Sequence, residues 1–314
     1  MKFAVVGAGA IGAYLGAHLA RSGEEVVLIA RGPHLSAMRE RGVRVESAEE
    51  VFVAHPECTD DVTAISDADV VFLTVKAHAL PGLAPAVGAA LKPAAAVLPA
   101  QNGIPFWYGE RLDSVDPGGV IARSLPARSV IGCIAYPAAV ISEPGVVQHQ
   151  EGKRFTIGEP DGSRSERCQA IAGALVKAGL KCPISSHIRD EIWLKLLGNA
   201  TVNPVSALSR APLDRLLEAP ETRDLVREMM LEVEAVARAM GASIEVGVEK
   251  RLQGIAGVGA HKTSMLQDVE AGRPLEVDAL LGSVVELAGR HSVAVPNLRV
   301  IYALAKLLDQ ARSA

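Results

Sequence analysis

Aromatic side chains are scarce in this sequence: phenylalanine, tyrosine and tryptophan make up 4% of its 314 residues, whereas apolar residues of all kinds make up 49%. Alanine, valine, leucine and glycine must therefore do most of the packing, which suits helices laid on a parallel sheet. No uninterrupted apolar run reaches about 18 residues, the length that a membrane span needs. The net charge of −4 argues against a nucleic-acid binder. A soluble protein that binds neither membranes nor nucleic acid is expected.

Cysteine is also rare, and its spacing excludes the usual metal sites. The four cysteines are Cys58, Cys133, Cys168 and Cys182. They form no CxxC pattern, and no two histidines stand at a metal-binding interval. Reduced structural thiols, a cytoplasmic location and no metal are therefore expected. The apolar stretch after Met1-Lys2 has the order of a secretory signal, but its regularly spaced glycines fit a strand–turn–helix unit better.

The N-terminal residues contain a glycine pattern between two apolar runs. Residues 3–6 and 26–29 are the runs, and Gly7-Ala8-Gly9-Ala10-Ile11-Gly12 follows the first of them, ahead of a helical pattern. Strand, glycine turn, helix and strand form the setting that a dinucleotide fingerprint requires. The first glycine permits the tight turn, the second lets the backbone approach a pyrophosphate, and the third lets the helix pack closely on the strand. Residues 7–12 are therefore predicted to bind a dinucleotide at the helix N-terminus.

The length of 314 residues favours two domains over a single core. Residues 1–184 alternate apolar runs with helical patterns, and within them residues 120–158 predict short antiparallel strands at the sheet edge. A helix at 165–178 and a strand at 180–184 would close this part, whereas the texture from residue 185 onward is helical. The sequence therefore predicts an α/β fold: a Rossmann-type, doubly wound sheet in residues 1–184 and an all-helical domain in residues 185–314.

The end of the second strand indicates which dinucleotide is bound. NAD-specific sites usually have Asp or Glu there to hold the ribose 2′-hydroxyl, but this strand ends in Ile29-Ala30-Arg31. Arg31 could instead pair with the 2′-phosphate of NADP. A solvated helix face explains the basic residues that follow, but it explains an arginine at the strand end poorly. NADP is therefore the predicted cofactor.

Two further predicted strands end in polar residues. Residues 67–76 end in Lys76, and residues 94–103 end in Asn102-Gly103. Because ligands bind at the carboxyl ends of strands in open α/β sheets, Lys76 and Asn102 are candidates to contact cofactor or substrate. A surface lysine and a turn pair explain the same residues when each is taken alone.

Residues 192–208 have Lys195, Asn199 and Asn203 at steps of four. On one helix these three side chains would share a face. Asparagine is a poor helix former, so two on one exposed face are unexpected, and a polar face that lines a cleft between domains is favoured. The alternative is a polar stripe facing water on a helix that ends or kinks at Asn203-Pro204.

A second polar group lies further along the chain. Ser264 and Gln267 form the Ser-x-x-Gln pattern of a capping box. Ser264 is explained as a helix cap, although a capped helix start can also bind a substrate carboxylate. Glu276 should lie in the first turn of the next helix, where the helix dipole also explains a glutamate. Helices are predicted at 222–241, 274–291 and 297–314.

Together these residues resemble the ketopantoate reductase family (2-dehydropantoate 2-reductases). The match runs from GAGAIG through LIAR, VKAH and QNG to W-x-K-L-x-x-N-x-x-x-N-P-x-S-A-L and SMLQDVEAGRPLEVD, so it covers nearly the whole chain. The resemblance implies an NADP-binding Rossmann domain, an all-helical domain, and an active site in the cleft between them. It implies NADPH-dependent reduction of ketopantoate to pantoate, as in pantothenate biosynthesis.

The resemblance also implies a role for each candidate residue. Lys195 would be the general acid, Asn199, Asn203 and Ser264 would hold the substrate, Asn102 would lie beside nicotinamide and substrate, Arg31 and Lys76 would contact the cofactor, and Glu276 would contact the nicotinamide-side ribose or the substrate. The expected partners are a small 2-keto acid and, as an assembly, a homodimer.

Some positions depart from the family pattern. Residues 204–220 contain no asparagine, Leu275 stands where threonine is usual, and Leu281 stands where asparagine is frequent. These departures leave the reaction type intact but keep another 2-keto acid open as the substrate. A redox sensor that binds NADP without turnover is a further alternative, although it would not need the lysine and the two asparagines in register.

Overall fold

The chain folds into two compact units, each built from two stretches of sequence. The structure is a computed structural model and describes residues 1–257 and 259–313. The first unit comprises Met1–Gln101 and Gly118–Ile188, and the second comprises Asn102–Pro117 and the residues from Arg189 onward. The segment 102–117 therefore packs with the second unit, and the domain boundary at 184/185 stays a prediction. Among the described residues, no helix combines the length and the apolar character that a membrane span requires.

A five-stranded parallel sheet forms the centre of the first unit. The strands of this unit are β1 (Lys2–Val6), β2 (Glu25–Ile29), β3 (Val43–Glu46), β4 (Val51–Ala54), β5 (Glu57–Thr59), β6 (Val70–Leu73), β7 (Ala96–Pro99), β8 (Gly132–Ala135), β9 (Ala138–Glu143), β10 (Val146–Glu151) and β11 (Phe155–Gly158). The sheet has the order β5-β2-β1-β6-β7, and all its neighbouring pairs are parallel. From β1 the chain crosses to β2 on one side, and from β6 it crosses to β7 on the other side. Right-handed crossover connections therefore place helices on both faces of the sheet. This confirms the predicted Rossmann-type fold.

Helix α1 (Ala10–Arg21) is buried between two sheets. It packs on β1 and β2, and also on the second sheet of this unit, which has the order β4-β3-β10-β9. The Tyr14 ring stacks on the His149 ring with centroids 4.5 Å apart, and His18 Nδ1 lies 3.1 Å from the Ala178 carbonyl oxygen. Burial on both sides explains why this helix is so apolar. The other helices of the unit are α2 (Gly32–Arg41), α3 (Leu80–Ala90), α4 (Val120–Ser124) and α5 (Glu166–Lys177).

The short strands predicted over residues 120–158 form and pair mainly outside the parallel sheet, although Val130 forms an isolated parallel bridge with Val97 on the edge strand β7. Strand β10 pairs antiparallel with β9 and parallel with β3, and β8 pairs antiparallel with β11. The strand predicted at 180–184 forms only isolated bridges, at Lys181 and Ile184. Pro183 lies between these two residues, and its missing N–H prevents a continuous ladder.

Helices make up the second unit, as predicted. They are α6 (Ile188–Asn199), α7 (Val202–Ser209), α8 (Leu213–Glu218), α9 (Pro220–Ala239), α10 (Val248–Ala256), α11 (Ser264–Glu270), α12 (Ser283–Arg290) and α13 (Pro296–Ser313). Buried Glu232 on α9 accepts hydrogen bonds from the backbone N–H groups of Asn297 and Leu298 at 3.0 and 2.9 Å, so it caps the start of α13. The predicted helices at 222–241 and 297–314 are confirmed, except that Ala314 lies outside the described residues.

The prediction of one helix through Lys195 and Asn203 is wrong, because α6 and α7 are separated at Ala200 and Thr201. Thr201 Oγ1 donates a hydrogen bond back to the Leu197 carbonyl at 2.6 Å, which ends the first helix. Pro204 lies in the first turn of α7, where a helix needs no N–H donor. Asn203 is therefore on a different helix from the lysine and the first asparagine.

The segment 102–117 is fastened within the second unit by hydrogen bonds. Trp193 Nε1 on α6 donates to the Tyr108 hydroxyl at 2.6 Å. The Glu286 carboxylate on α12 accepts from the backbone N–H groups of Asp113 and Ser114, each at 3.0 Å. These contacts join residues that are far apart in the sequence. The local sequence pattern of residues 102–117 therefore did not predict that the segment packs with the second unit.

Candidate functional site

In the glycine turn, residues 7–12, each glycine has the environment that its predicted role requires. Gly7 has a φ of +98°, in the left-handed region that glycine adopts most readily. A Cβ on Gly12 would overlap Thr74 Oγ1 and the Gly7 carbonyl oxygen, so α1 lies too close to the strand ends for a side chain there. A Cβ on Gly9 would meet only the Gly7 carbonyl oxygen, at 3.9 Å. The backbone of Gly9 is therefore open to the approach of a pyrophosphate.

The start of α1 presents backbone donors beside this space. The Ala13 N–H makes the first helical hydrogen bond, to the Gly9 carbonyl at 2.8 Å. The N–H groups that precede it are those of Ala10, Ile11 and Gly12. The first turn of α1, which the structure describes completely, contains no acidic residue, so the helix dipole favours an anion there. Ala8 serves the turn itself, since its N–H donates to the Ile29 carbonyl at 2.9 Å.

Arg31 and Lys76 follow the carboxyl ends of β2 and β6. Strands β6 and β7 are shorter than predicted, so the lysine lies beyond its strand end rather than within the strand. Because β1, β2 and β6 are parallel, both cations lie at the same edge of the sheet as the glycine turn. Arg31 is exposed and has an extended backbone at the start of α2, while Lys76 is half-buried. This sheet edge brings together the glycine turn, Arg31 and Lys76, whereas Asn102 and Glu276, also predicted to contact the cofactor, belong to the second unit.

Two residues that the sequence interpretation missed hold this edge in shape. Thr74 Oγ1 donates to the Gly7 carbonyl at 2.8 Å. Gln101 Nε2 donates at 2.8 and 3.1 Å to the carbonyl groups of Leu73 and Val75, where β6 ends. The sequence signal that could have identified Thr74 and Gln101 is the one that identified Lys76, namely a polar side chain next to the end of a buried strand.

Lys195, Asn102, Asn199 and Glu276, here called the Lys195 cluster, are joined by hydrogen bonds in the second unit. Asn102 Oδ1 accepts from Lys195 Nζ at 2.8 Å and from Asn199 Nδ2 at 3.3 Å. Asn102 Nδ2 donates to Glu276 Oε2 at 3.4 Å. The three contacts agree on the orientation of the Asn102 amide, because its oxygen meets two donors and its nitrogen meets a carboxylate. All four side chains are half-buried.

Local backbone geometry sets the positions of Asn102 and Glu276. Gly103 has a φ of +96°, and a Cβ on it would overlap the Ala279 carbonyl oxygen, so the chain after Asn102 lies directly on residue 279. Glu276 does not lie in the first turn of an α-helix, as predicted, but immediately before a helical segment that includes a π-helical turn at Asp278–Gly282. Such turns are rare and are often found at functional sites.

Asn203 has no side-chain hydrogen bond to the Lys195 cluster. It is 6% exposed, and its carboxamide has no hydrogen-bond partner among the residues that the structure describes. The assignment of Asn203 to substrate binding therefore stays a prediction.

The prediction that Ser264 caps a helix is wrong by one residue. Buried Thr263 is the cap of α11, since its Oγ1 accepts from the Leu266 N–H at 3.2 Å. Ser264 is the first residue of the helix and is exposed. The Gln267 side chain donates to the Lys262 carbonyl at 3.0 Å instead of closing a capping box. Capping therefore does not explain the Ser264 hydroxyl, which stays a candidate for substrate contact.

A parallel sheet with a glycine turn, followed by a helical unit with a lysine–amide cluster, defines the class of two-domain Rossmann-type oxidoreductases. Comparison with known families identifies the family within this class. The family model described as "Ketopantoate reductase PanE/ApbA" matches residues 3–162, and its "C terminal" counterpart matches residues 187–309. The chain belongs to the ketopantoate reductase family.

Individual relatives match over almost their full length. The 2-dehydropantoate 2-reductase of Mesorhizobium japonicum is 41% identical over 318 residues, which cover 98% of each chain. That of Halobacterium salinarum is 31% identical and covers 99% of each chain. The solved structure of a PanE/ApbA family ketopantoate reductase from Ralstonia eutropha has a TM-score of 0.89 at 31% identity and covers 100% of each chain.

Proposed function

We propose that this protein reduces ketopantoate to pantoate with NADPH. The observation that supports this most directly is the Lys195 cluster, in which an ammonium and two carboxamides meet in a chain related to 2-dehydropantoate 2-reductases. Reduction of a 2-keto acid needs a hydride donor, a proton donor for the carbonyl oxygen and an anchor for the carboxylate. The described residues offer candidates for the proton donor and the carboxylate anchor, and for binding the cofactor that donates the hydride.

The Lys195 ammonium would act on the carbonyl oxygen. As that oxygen gains negative charge, an adjacent ammonium supplies both a stabilising charge and a proton. Asn102 Oδ1, at 2.8 Å from Lys195 Nζ, holds the ammonium in place. The carboxamides of Asn199 and Asn203 each offer a donor and an acceptor, which suits a substrate hydroxyl. The Ser264 hydroxyl would bind the carboxylate.

The sheet edge of the first unit fits a dinucleotide. The open backbone of Gly9 and the donors at the start of α1 suit its pyrophosphate. Arg31 stands where a carboxylate would favour NAD, so it would bind the 2′-phosphate of NADP. Bound NADPH would supply the hydride to the keto carbon. Lys76 lies at the same edge and would contact the cofactor, and Glu276 would contact its nicotinamide-side ribose or the substrate.

The departures from the family pattern at Leu275 and Leu281 are compatible with ketopantoate as the substrate. Leu275 is 4% exposed and Leu281 is 0% exposed, so both side chains pack in the core of the second unit. Their exchange for apolar residues therefore alters packing and leaves the polar groups of the Lys195 cluster in place.

Steady-state oxidation of NADPH by the purified protein against a panel of 2-keto acids tests this proposal. Ketopantoate should give the highest kcat/KM of the panel. A higher value for another 2-keto acid would favour the alternative substrate, and the absence of turnover with every member would favour a non-catalytic NADP-binding protein.

The Arg31→Ala variant tests the choice of cofactor. A charge-assisted contact contributes about 1.5–3 kcal/mol, so kcat/KM for NADPH should fall roughly tenfold to a hundredfold while that for NADH changes little. Arg44→Ala is the matched control, since Arg44 is an exposed arginine paired with Glu46 at 2.6 Å. Equal use of the two cofactors by the wild type, or an unchanged preference in Arg31→Ala, would contradict the assignment.

A further inference from the structure

Three side chains on one face of α13 contact residues 275 and 278, on either side of Glu276. The turn that bears Glu276 comprises residues 275–282. Tyr302, Lys306 and Asp309 recur at steps of four and three, so they share a face of the helix. The Tyr302 hydroxyl donates to Asp278 Oδ1 at 2.7 Å, and Lys306 Nζ donates to Asp278 Oδ2 at 2.5 Å. Asp309 Oδ1 accepts from the Leu275 N–H at 2.9 Å. The three side chains are called the α13 clamp below.

The turn between these contacts is connected to the Lys195 cluster at two points. The Leu280 N–H donates to the Glu276 carbonyl at 3.1 Å, so the glutamate backbone is part of the turn. Gly103 lies against Ala279, and the residue before Gly103 is Asn102, which holds Lys195 Nζ. A displacement of the turn would therefore move Glu276 directly and Asn102 through the Gly103 contact.

The energetics of the clamp favour a geometric role over a stabilising one. The side chains of Lys306 and Asp278 are 39% and 43% exposed, and ion pairs this accessible contribute little to stability. The Tyr302 hydroxyl contributes a directional hydrogen bond to Asp278. Burial, and then this hydrogen bond, raise the pKa of the hydroxyl to about 12. The hydroxyl therefore stays protonated and keeps donating to the carboxylate at all ordinary pH values.

We propose that Tyr302, Lys306 and Asp309 are positioning residues that fix Glu276 and Asn102 in the geometry needed for turnover. This inference rests on the proposed reductase function. Helix α13 would then control the geometry of the proton-donating lysine through Glu276 and Asn102.

Tyr302→Phe and Lys306→Met test the clamp, with Gln310→Ala as the matched control. Gln310 is exposed on the same helix, and its side chain makes no hydrogen bond to any residue that the structure describes. Each clamp variant should lose about 10- to 100-fold in kcat with ketopantoate and NADPH, since a displacement of about 1 Å can cost about 10²-fold. KM should change less than kcat. In Asp309→Asn the amide oxygen can still accept from Leu275, so this variant should retain more activity than Asp309→Leu.

A double-mutant cycle with Glu276→Gln separates positioning from general destabilisation. If the clamp acts through Glu276, Tyr302→Phe should cost much less in the Glu276→Gln background than in the wild type. Equal factors in the wild type and in both the Glu276→Gln and the Asn102→Ala backgrounds, or activity of the clamp variants equal to that of Gln310→Ala, would overturn the proposal.

Amide hydrogen exchange gives a second test that needs no turnover. Peptides covering residues 275–282 should exchange faster in Tyr302→Phe and Lys306→Met than in the wild type or Gln310→Ala. An inactive wild type would end the reductase proposal, and the exchange rates would still decide whether the clamp holds the turn. Exchange rates in the clamp variants equal to those of the wild type would overturn the clamp proposal.

Discussion

Lys195 has the most specific chemical role of any single residue in the proposed site, and Asn102 is the neighbour that holds it. Lys195→Ala should lower kcat by about 10²–10⁴, the usual contribution of a positioned acid. The affinity for NADPH should stay near that of the wild type. The measurement is kcat with saturating ketopantoate, together with a cofactor titration.

A control for this prediction is Lys262→Ala. Lys262 is an exposed lysine that pairs with Glu270 at 2.8 Å, so its loss should leave kcat unchanged. The wild-type rate should also fall on the alkaline side of the pH profile, because an ammonium that has lost its proton cannot donate one. A folded Lys195→Ala protein with the wild-type rate would show that the lysine is only part of a helix face.

At the scale of a secondary-structure element, the start of α11 separates a capping residue from a candidate ligand. Thr263→Ala removes the side chain that accepts from the Leu266 N–H, so the free energy of unfolding should fall by about 1 kcal/mol while KM stays constant. Ser264→Ala should raise KM for every 2-keto acid and change stability by less than about 0.5 kcal/mol. Denaturant unfolding and steady-state kinetics on both variants measure this difference. The opposite pattern would return Ser264 to a purely structural role.

The sequence predicted those elements whose pattern is local. The glycine turn was recognisable because each glycine answers a steric demand within about 30 residues. Helices α9 and α13 were recognisable because their apolar residues follow helical spacing over several turns. The Lys195 cluster was predicted in its residues, but the placement of Asn102 in the second unit was not.

Other features could not be predicted, either because two local structures fit the same sequence or because distant residues fix them. The end of α6 depends on a hydrogen bond that Thr201 makes with the preceding turn, and a single-helix interpretation fitted the same spacing. Thr263 and Ser264 are adjacent residues that both have the hydroxyl group of a possible cap, so the sequence did not decide between them. The place of residues 102–117 depends on partners such as Trp193 and Glu286, which lie far along the chain.

At the scale of the whole molecule, a buried carboxylate makes the stability of the first unit sensitive to acid. Glu159 is 5% exposed and accepts hydrogen bonds from Ser165 and from Arg167, with the Arg167 pair at 2.5 Å. Burial alone would raise the pKa of Glu159, but the hydrogen bonds and charge of Arg167, with help from Ser165, hold that pKa below its ordinary value of 4.5. The stabilisation that the Glu159 carboxylate contributes is therefore complete above pH 4.5 and is lost as the pH falls through the lowered pKa.

Glu159→Gln tests this dependence. The variant should be less stable than the wild type at neutral pH, and its free energy of unfolding should fall less steeply as the pH is lowered below the ordinary carboxyl pKa. Glu40→Gln, a change at an exposed glutamate, is the control. Urea unfolding at a series of pH values gives both slopes, and identical slopes for the wild type and Glu159→Gln would contradict the assignment.

The interleaving of the two units has a consequence for the order in which the chain can fold during synthesis. Residues 102–117 leave the ribosome long before Trp193 and Glu286 exist, so Tyr108 and the backbone donors at Asp113 and Ser114 must wait without their partners. The parallel sheet can form first, while residues 102–117 remain an unpacked loop connected to it. Cutting the chain near residue 188 would leave the two stretches of the second unit on different fragments, so neither fragment could complete that unit alone.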